Sequence, residues 1–385
     1  MPNSYRTTDE VTVEVEGGSK VQLHLKELSF HASGAFSNVY KGTVTTTESS
    51  EQREVVIKKT WHADNTTTKE ESILKHLAKL KHKNIVMLLY SYNTQHKDCY
   101  CLALVFECIP SNLHQYLKSL DRRIDILEVK LITWQLFRGQ AHLQRQDVCH
   151  RDIKPQNLLF NPETGLLKIS DFGASFRRAT EKTLRTYQVT RYYRPPELIL
   201  GSREYGSEID IWSCGCVFGE LLRGRVHFAG KSSENQAEVI FNALGVPTTS
   251  DLKHMRIDES KYKKILKNYT PGQMKRSLNF SYIYEQTDQQ QGDANSRVMN
   301  EKIKLEDMKQ ATLLLRRVLV YNPKNRLSGM KFLMHKFFNE LFEETARREN
   351  GKRIECLSKM DRDKVGRGDR TLTHETAETG ETREI

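Results

Sequence analysis

Two short strings in the middle of the chain contain most of its chemically useful side chains: HRDIKPQN at 150–157 and DFG at 171–173. Transfer of a phosphoryl group needs a carboxylate that accepts a hydroxyl proton, oxygen ligands for Mg²⁺ and a cation near the phosphates. The strings supply these groups as Asp152, Asn157, Asp171 and Lys154. Their residue types therefore predict phosphoryl transfer.

The two strings resemble the catalytic loop and the metal-binding turn of eukaryotic protein kinases. The resemblance implies that Asp152 orients the attacking hydroxyl and accepts its proton, and that Asn157 and Asp171 hold Mg²⁺. It also implies that Lys154 neutralises the transferred phosphoryl group. A lysine two residues after the aspartate is similar to serine/threonine kinases, so ATP-dependent phosphorylation of serine or threonine is expected.

A strand-like run further upstream, VVIK at 55–58, ends in a lysine. Taken alone, an apolar strand ending in lysine is usually an edge strand. Its place before the two strings makes it resemble the kinase strand whose lysine contacts the α- and β-phosphates and pairs with a helix glutamate. Glu70 is the favoured partner of Lys58, since apolar residues follow it three, four and seven positions later, and Glu71 is the alternative.

The segment HASGAFSNV at 31–39 resembles the glycine-rich loop that covers the phosphates, but only its middle glycine is present. Small side chains at the other two positions still let the backbone approach phosphate, although positive φ becomes costly. Outside this segment, Val56 replaces the alanine that usually lies above the adenine ring. Nucleotide affinity is therefore expected to be reduced but not abolished. The ATP contacts predicted here are His31, Ala32, Gly34, Phe36, Ser37, Val39 and Val56.

Three longer strings make residues 28–345 resemble the glycogen synthase kinase-3 family, as a divergent member: HRDIKPQNLL, RYYRPPELILG and IDIWSCGCVFGELL. The resemblance implies a structural ion pair between Glu197 and Arg326, and a backbone contact from Asp210 to the catalytic loop. It places further ATP contacts at Phe106, at the back of the pocket, at the backbone of Glu107 and Cys108, and at Leu159. Phe106 and Leu159 would also suit an apolar core in any fold.

The same resemblance implies a tyrosine in the activation segment that the kinase itself phosphorylates, and Tyr187 matches its position. Arg191 and Arg194 would bind the phosphate. The alternatives stay open, because Tyr187 would also serve as a packed aromatic residue and the two arginines as part of an exposed loop.

Kinases of this family prefer substrates already phosphorylated four residues after the acceptor, and three cations bind that phosphate. Lys69 and Arg151 match two of these cations, whereas Phe176 stands at the third position and is followed by Arg177 and Arg178. An apolar ring cannot neutralise phosphate, and lysine lacks the planar fork of arginine. Either Arg177 completes the pocket or the preference is weaker, and a weakened but surviving preference is expected.

The elements that must position these residues change from strands to helices along the chain. Alternating residues at 11–16 and 21–27 predict a hairpin, and further strands are expected at 37–45, 54–59 and 102–106. Helical periodicity is found at 69–80, 125–143, 208–223, 235–243 and 306–319. The expected fold class is α+β, the two-lobed kinase fold with a small β-rich lobe and a larger α-helical lobe.

The predicted domain division begins with a flexible N-terminus at 1–10 and the hairpin at 11–27. The kinase domain follows at 28–340, with the N-lobe reaching to about residue 108 and the C-lobe covering 109–340. A disordered basic and polar tail is predicted at 341–385, where apolar residues become scarce. The glutamine-rich segment at 284–300 is expected to be a surface loop.

Composition narrows the class of protein without choosing its substrate. A hydrophobic fraction of 37%, no membrane-length apolar run and no secretory signal predict a soluble protein of the cytoplasm or nucleus. Seven scattered cysteines without a C-x-x-C pair predict reduced thiols. The net charge of +11 has no nucleic-acid-binding motif beside it. ATP, Mg²⁺ and protein substrates are therefore expected, with no nucleic acid, no membrane and a monomeric state.

A pseudokinase that serves as a scaffold or binding module is the competing hypothesis. The altered glycine-rich loop and Val56 favour it, whereas Lys58 and the four polar residues of the catalytic strings favour an active enzyme. Binding to scaffold proteins is not assumed. The string ALGVPTTSDL at 243–252 is similar to a family segment that precedes the scaffold-binding region, but the residues after it diverge.

Overall fold

Most strand residues of the described chain lie in its first third, and most helical residues follow them. The computed structural model describes residues 7–14, 18–34, 37–62, 67–96, 99–121, 124–177, 190–258, 260, 262–263 and 294–367. Its strands are β1 (Thr7–Glu14), β2 (Lys20–Ser33), β3 (Ser37–Thr46), β4 (Ser49–His62), β5 (Leu88–His96), β6 (Cys99–Glu107), β7 (Ser111–Asn112), β8 (Val148–Cys149), β9 (Leu158–Phe160), β10 (Leu167–Ile169) and β11 (Phe176–Arg177). Its helices are α1 (Lys69–Leu80), α2 (Leu113–Ser119), α3 (Ile126–Arg145), α4 (Pro196–Ile199), α5 (Glu208–Arg223), α6 (Ser233–Leu244), α7 (Thr249–His254), α8 (Ala294–Val318), α9 (Gly329–Leu333) and α10 (Lys359–Gly366).

A six-stranded antiparallel sheet, in the order β1-β2-β3-β4-β6-β5, forms the N-terminal lobe. In β2 every second residue from Val21 to Leu25 is buried, and these side chains pack against β4 and β6 in one apolar core. β1 pairs with β2 from Thr7 onwards, so the predicted flexible N-terminus at 1–10 is wrong for residues 7–10. Backbone pairing needs no apolar side chain, which is why the composition of these residues did not reveal the strand.

The second lobe is built around α3 and α5. Trp134 and Phe137 of α3 and Trp212 and Phe218 of α5 are all completely buried, as expected for helices at the centre of a domain. The predicted two-lobed α+β class is therefore confirmed. None of the helices in the described part of the chain is long and apolar enough to cross a bilayer.

The prediction of a surface loop at 284–300 is wrong from Ala294 onwards, because α8 begins there. Helix growth is cooperative, so polar residues that precede an anchored apolar stretch extend the same helix. Residues 284–293 lie outside the described part.

The chain is also ordered from residue 341 to 367, so the predicted disordered tail at 341–385 is wrong for these residues. Arg348 pairs with Glu128 of α3 at 2.7 Å, and each side chain is 1% exposed. Leu357 joins the main core, and α10 follows it. The prediction of disorder, made from composition, failed because carboxylates from distant elements offset the cost of burying the cations of this segment. Residues 368–385 lie outside the described part.

Candidate active site

A cavity of about 1060 Å³ lies between the two lobes. It is lined by the sheet on one side and by residues between Gln156 and Gly173, around β9 and β10, on the other. Among its lining residues are the predicted ATP contacts His31, Ala32, Gly34, Ser37, Val39, Val56, Lys58, Glu70, Phe106, Glu107, Leu159 and Asp171, together with Asn157. Cys108 is described but is not a lining residue of this cavity, and Phe36 lies outside the described residues.

Lys58 reaches the cavity because side chains alternate along β4, and its neighbours Val55 and Ile57 are buried in the sheet core. Its Nζ lies 2.8 Å from Oε1 of Glu70 and 2.9 Å from Oδ1 of Asp171. α1 holds Glu70 in its first turn, where the Thr68 side chain caps the helix. The alternative, Glu71, accepts a hydrogen bond from Ser91 and does not pair with Lys58 in this structure.

The contacts of Lys58 with Glu70 and Asp171 shift the pKa of Lys58 and that of Asp171. Burial by itself would lower the pKa of Lys58, but the carboxylates of Glu70 and Asp171 raise it overall. Burial by itself would raise the pKa of Asp171, but the Lys58 cation beside it lowers that pKa overall. Both groups are therefore charged at neutral pH, as a site for phosphate and a metal ion requires.

Three donors fix the carboxylate of Asp152. Thr190 Oγ1 donates to its Oδ1 at 2.7 Å, while Lys154 Nζ and Asn157 Nδ2 donate to its Oδ2 at 2.6 Å and 2.9 Å. Thr190 was not among the site residues predicted from the sequence. Its only signal was its place directly before RYYRPPELILG.

α5 holds the backbone of the same loop through Asp210. Its carboxylate accepts hydrogen bonds from the backbone N–H of His150 at 2.7 Å and of Arg151 at 2.9 Å. Burial raises the pKa of Asp210 in spite of these bonds. Arg151 adopts a φ of 68°, a left-handed conformation that the two bonds help to hold.

Two further ion pairs lie near the site, one in the core of the helical lobe and one at the cavity itself. Arg326 donates to both oxygens of Glu197, at 2.7 Å and 2.6 Å, so the predicted pair is formed in the core of the helical lobe. At the other end of the cavity Lys168 of β10 lies 2.8 Å from Glu107 Oε1. This second pair was not predicted from the sequence, because the two residues belong to distant strands and no motif links them.

The predicted phosphate-binding arginines have partners within the protein. Arg191 donates to the backbone carbonyl of Lys231 at 2.7 Å, and Arg194 is buried. Arg151 lies with its guanidinium 4.6 Å from the ring centre of Phe176, and its Nε donates to the carbonyl of Ala174 at 2.5 Å.

The remaining predicted residues of the two phosphate sites are placed as follows. Lys69 is the first residue of α1 and lines the cavity, and Arg177 is the partly buried second residue of β11. Tyr187 and Arg178 lie outside the described residues.

Comparison with known proteins gives matches over most of the chain. Residues 31–338 match the protein kinase domain. The Caenorhabditis elegans protein gskl-1 is 40% identical over 229 residues, which cover 58% of this chain and 62% of that protein. Glycogen synthase kinase 1 of Pyricularia oryzae is 34% identical over 68% of this chain and 61% of its own length. Protein kinase gsk3 of Schizosaccharomyces pombe is 34% identical over 71% of this chain and 65% of its own length. The chain thus spans less than two thirds of each of these relatives.

Proposed function

The chain belongs to the protein kinase family, and from this we propose that it transfers the γ-phosphoryl group of ATP to serine or threonine hydroxyls of protein substrates. The observation that carries the proposal is that Lys58, Asn157 and Asp171 line one cavity, and that Asp152 is hydrogen-bonded to Asn157 beside it. Phosphoryl transfer depends on positioning and on charge stabilisation, and these four side chains supply both.

Asp152 would act as the base for the substrate hydroxyl. Its carboxylate is oriented by Thr190, Lys154 and Asn157, and a carboxylate that already accepts three hydrogen bonds can still accept a fourth. Lys154 lies next to it and would offset negative charge on the phosphoryl group during transfer. Lys58, held by Glu70, would contact the α- and β-phosphates.

The residues present fit a magnesium ion. Asn157 and Asp171 both line the cavity and offer an amide oxygen and carboxylate oxygens, the ligands that Mg²⁺ prefers. Among the described residues no group of three or more His, Cys, Asp or Glu side chains could hold a metal ion. This agrees with a site in which one or two protein ligands share the ion with substrate phosphates. When bound, the ion would neutralise charge on those phosphates.

The proposal is tested by phosphorylation of a peptide library with purified protein, Mg²⁺ and ATP, beside the variant Asp152→Asn. The wild-type protein is expected to phosphorylate serine and threonine peptides, and the variant to lose at least about 99% of this activity, because removal of a general base costs a factor of roughly 10² to 10⁴. An inactive wild-type protein that is nevertheless stabilised by Mg²⁺ and ATP would favour the pseudokinase. Equal activity of the two proteins would contradict the assignment of Asp152 as the base.

We further propose that the preference for already phosphorylated substrates is weakened but survives. Lys69 lines the cavity at the first turn of α1, where its charge would attract a substrate phosphate. Arg151 is largely used by contacts within the protein, since it is 7% exposed and lies against Phe176. One cation in place of three would contribute one charge-assisted interaction, worth about 1.5 kcal/mol or roughly tenfold in kcat/KM.

The ratio of kcat/KM for a phosphorylated peptide to that of its unphosphorylated twin measures this preference. We expect a ratio of roughly ten for the wild-type protein and a ratio near one for Lys69→Met. Lys75→Met is the matched control, because Lys75 is an exposed lysine of the same helix that pairs with Glu71, and it should leave the ratio unchanged. A wild-type ratio near one, or a ratio that survives Lys69→Met, would contradict the proposal.

A further inference from the structure

The loop that follows α1 is fixed to the helical lobe. α1 ends at Leu80 and is capped by Lys81, whose φ is 46°. The ring of the next residue, His82, stacks on His142 of α3 with 4.3 Å between ring centres. Asn84 is completely buried and donates to the side chain of Gln135 at 3.1 Å and to the carbonyl of Leu167 at 2.9 Å. The C-terminal end of α1 therefore cannot shift without breaking buried contacts.

Between these two anchors, Lys83 reaches the C-terminal segment of the chain. Its Nζ donates to the carbonyl of Cys356 at 3.1 Å and to Oδ2 of Asp361 at 3.0 Å. The other oxygen of Asp361 lies 2.8 Å from Nη1 of Arg138 on α3. Asp361 also accepts hydrogen bonds from the backbone and hydroxyl of Ser358, which caps α10.

One carboxylate thus joins three elements: α10, α3 and the loop after α1. Burial by itself would raise the pKa of Asp361, but the charges of Arg138 and Lys83 lower it overall, so it is ionised at neutral pH. Its side chain is 8% exposed, which limits screening by salt. The Lys83 side chain is 41% exposed, so its contact with Asp361 is a half-buried ion pair.

We propose that the segment Cys356–Gly366 is a positioning element for the nucleotide site, which acts through Asp361 and Lys83 on α1. α1 is one uninterrupted helix of 12 residues, about 18 Å long, with Lys83 just beyond one end and Glu70 in the first turn of the other. A helix of this length moves as a rigid rod, so its orientation at the loop sets the position of Glu70 against Lys58. The inference rests on the proposed kinase function, and the positioning element lies beyond the matched kinase domain, which ends at residue 338.

The test compares Lys83→Met with Lys83→Arg and with Lys352→Met, in the full chain. Lys83 is 41% exposed, so its replacement should not unfold the protein. Lys352 is the matched control, because it also joins the C-terminal segment to the helical lobe, through an exposed ion pair with Glu163 that does not involve α1. Each variant is checked by thermal unfolding, and kinetics are measured well below its melting temperature.

We expect Lys83→Met to raise KM for ATP and lower kcat, with a combined loss in kcat/KM of about fivefold to tenfold, the lower range of coupling between distant sites. Hydrogen exchange of the α1 amides should become faster in the same variant, since local opening becomes easier. Lys83→Arg, which keeps a long cation, should restore both readouts to within about twofold of wild type. Lys352→Met should change neither.

A folded Lys83→Met variant with wild-type kinetics and wild-type exchange in α1 would overturn the proposal. Equal losses in Lys352→Met would also overturn it, because the effect would then be general destabilisation. If the wild-type protein transfers no phosphate, the proposed function fails, but exchange in α1 and the Kd for Mg²⁺-ATP still decide whether the segment positions α1.

Discussion

Lys58→Met and Asp171→Asn are each expected to lower kcat for peptide phosphorylation at least about 100-fold while the protein stays folded. The Lys58 cation lies within 2.9 Å of both Glu70 and Asp171, and its side chain is 18% exposed, so its charge contributes more there than it would in bulk water. Removing one preorganised charge from such a site costs roughly 10² to 10³ in rate. The side chains that change face the cavity, so the core packing is retained.

The two variants should differ in how they bind nucleotide. Asp171→Asn removes one of the two proposed metal ligands, so the increase in melting temperature caused by ATP should no longer depend on Mg²⁺. Lys58→Met keeps both metal ligands, so its smaller increase should still depend on Mg²⁺, by mass action on the native state. Differential scanning fluorimetry at several concentrations of ATP and Mg²⁺ measures this directly.

Lys59→Met is the matched control for this experiment. Lys59 is the next residue of β4, points to the opposite face of the sheet and lies 3.4 Å from Asp9. Its replacement should leave kcat within about twofold of wild type, as for an ordinary surface ion pair. Phosphoryl transfer that persists in both Lys58→Met and Asp171→Asn would show that the site has been assigned wrongly.

The parts of the site that lie within short strings could be predicted from the sequence. HRDIKPQN and DFG specify both the residue types and their spacing, so the order of residues alone identifies Asp152, Asn157 and Asp171. Relatedness to glycogen synthase kinases, predicted from RYYRPPELILG and its neighbours, is confirmed by the matches to proteins of that name.

Contacts between distant elements could not be predicted in this way. The hydrogen bond from Thr190 to Asp152 and the pairing of Lys168 with Glu107 join residues whose separation in the chain carries no periodic or motif signal. The same limit explains the error on the C-terminal segment. A cation-rich composition predicts disorder unless buried partners are available elsewhere. The sequence does not reveal that Glu128 of α3 is buried beside Arg348, or that Arg138 of α3 lies beside Asp361.

Arg348→Met is expected to destabilise the fold strongly. Arg348 Nε lies 2.7 Å from Oε1 of Glu128, and its Nη1 donates to the carbonyl of Glu163 at 3.0 Å. Both charged side chains are 1% exposed, so the variant leaves an unpaired carboxylate in the core. Breaking such a pair costs about 3 to 5 kcal/mol, measured as the change in the free energy of unfolding by urea.

The pH dependence of the stability lost in Arg348→Met shows whether the unpaired carboxylate of Glu128 causes the loss. Burial raises the pKa of Glu128 even with Arg348 beside it, and without the arginine the pKa of this carboxyl should rise further. A carboxyl whose pKa is higher in the folded than in the unfolded state destabilises the fold when it is ionised. That cost disappears as pH falls through the folded pKa and the carboxyl becomes protonated. The stability difference between Arg348→Met and wild type should therefore shrink between pH 8 and pH 5.

A second substitution separates the unpaired charge from the lost packing. In Glu128→Gln/Arg348→Met the buried charge is removed together with its partner, and replacement of both members of a buried pair is often nearly neutral. We expect the double variant to recover most of the lost free energy at pH 8 and to show little dependence on pH. Lys352→Met, which breaks an exposed ion pair of the same segment, should cost less than about 1 kcal/mol. A double variant as unstable as Arg348→Met would mean that the packing of the arginine, rather than the charge of Glu128, holds this segment on the helical lobe.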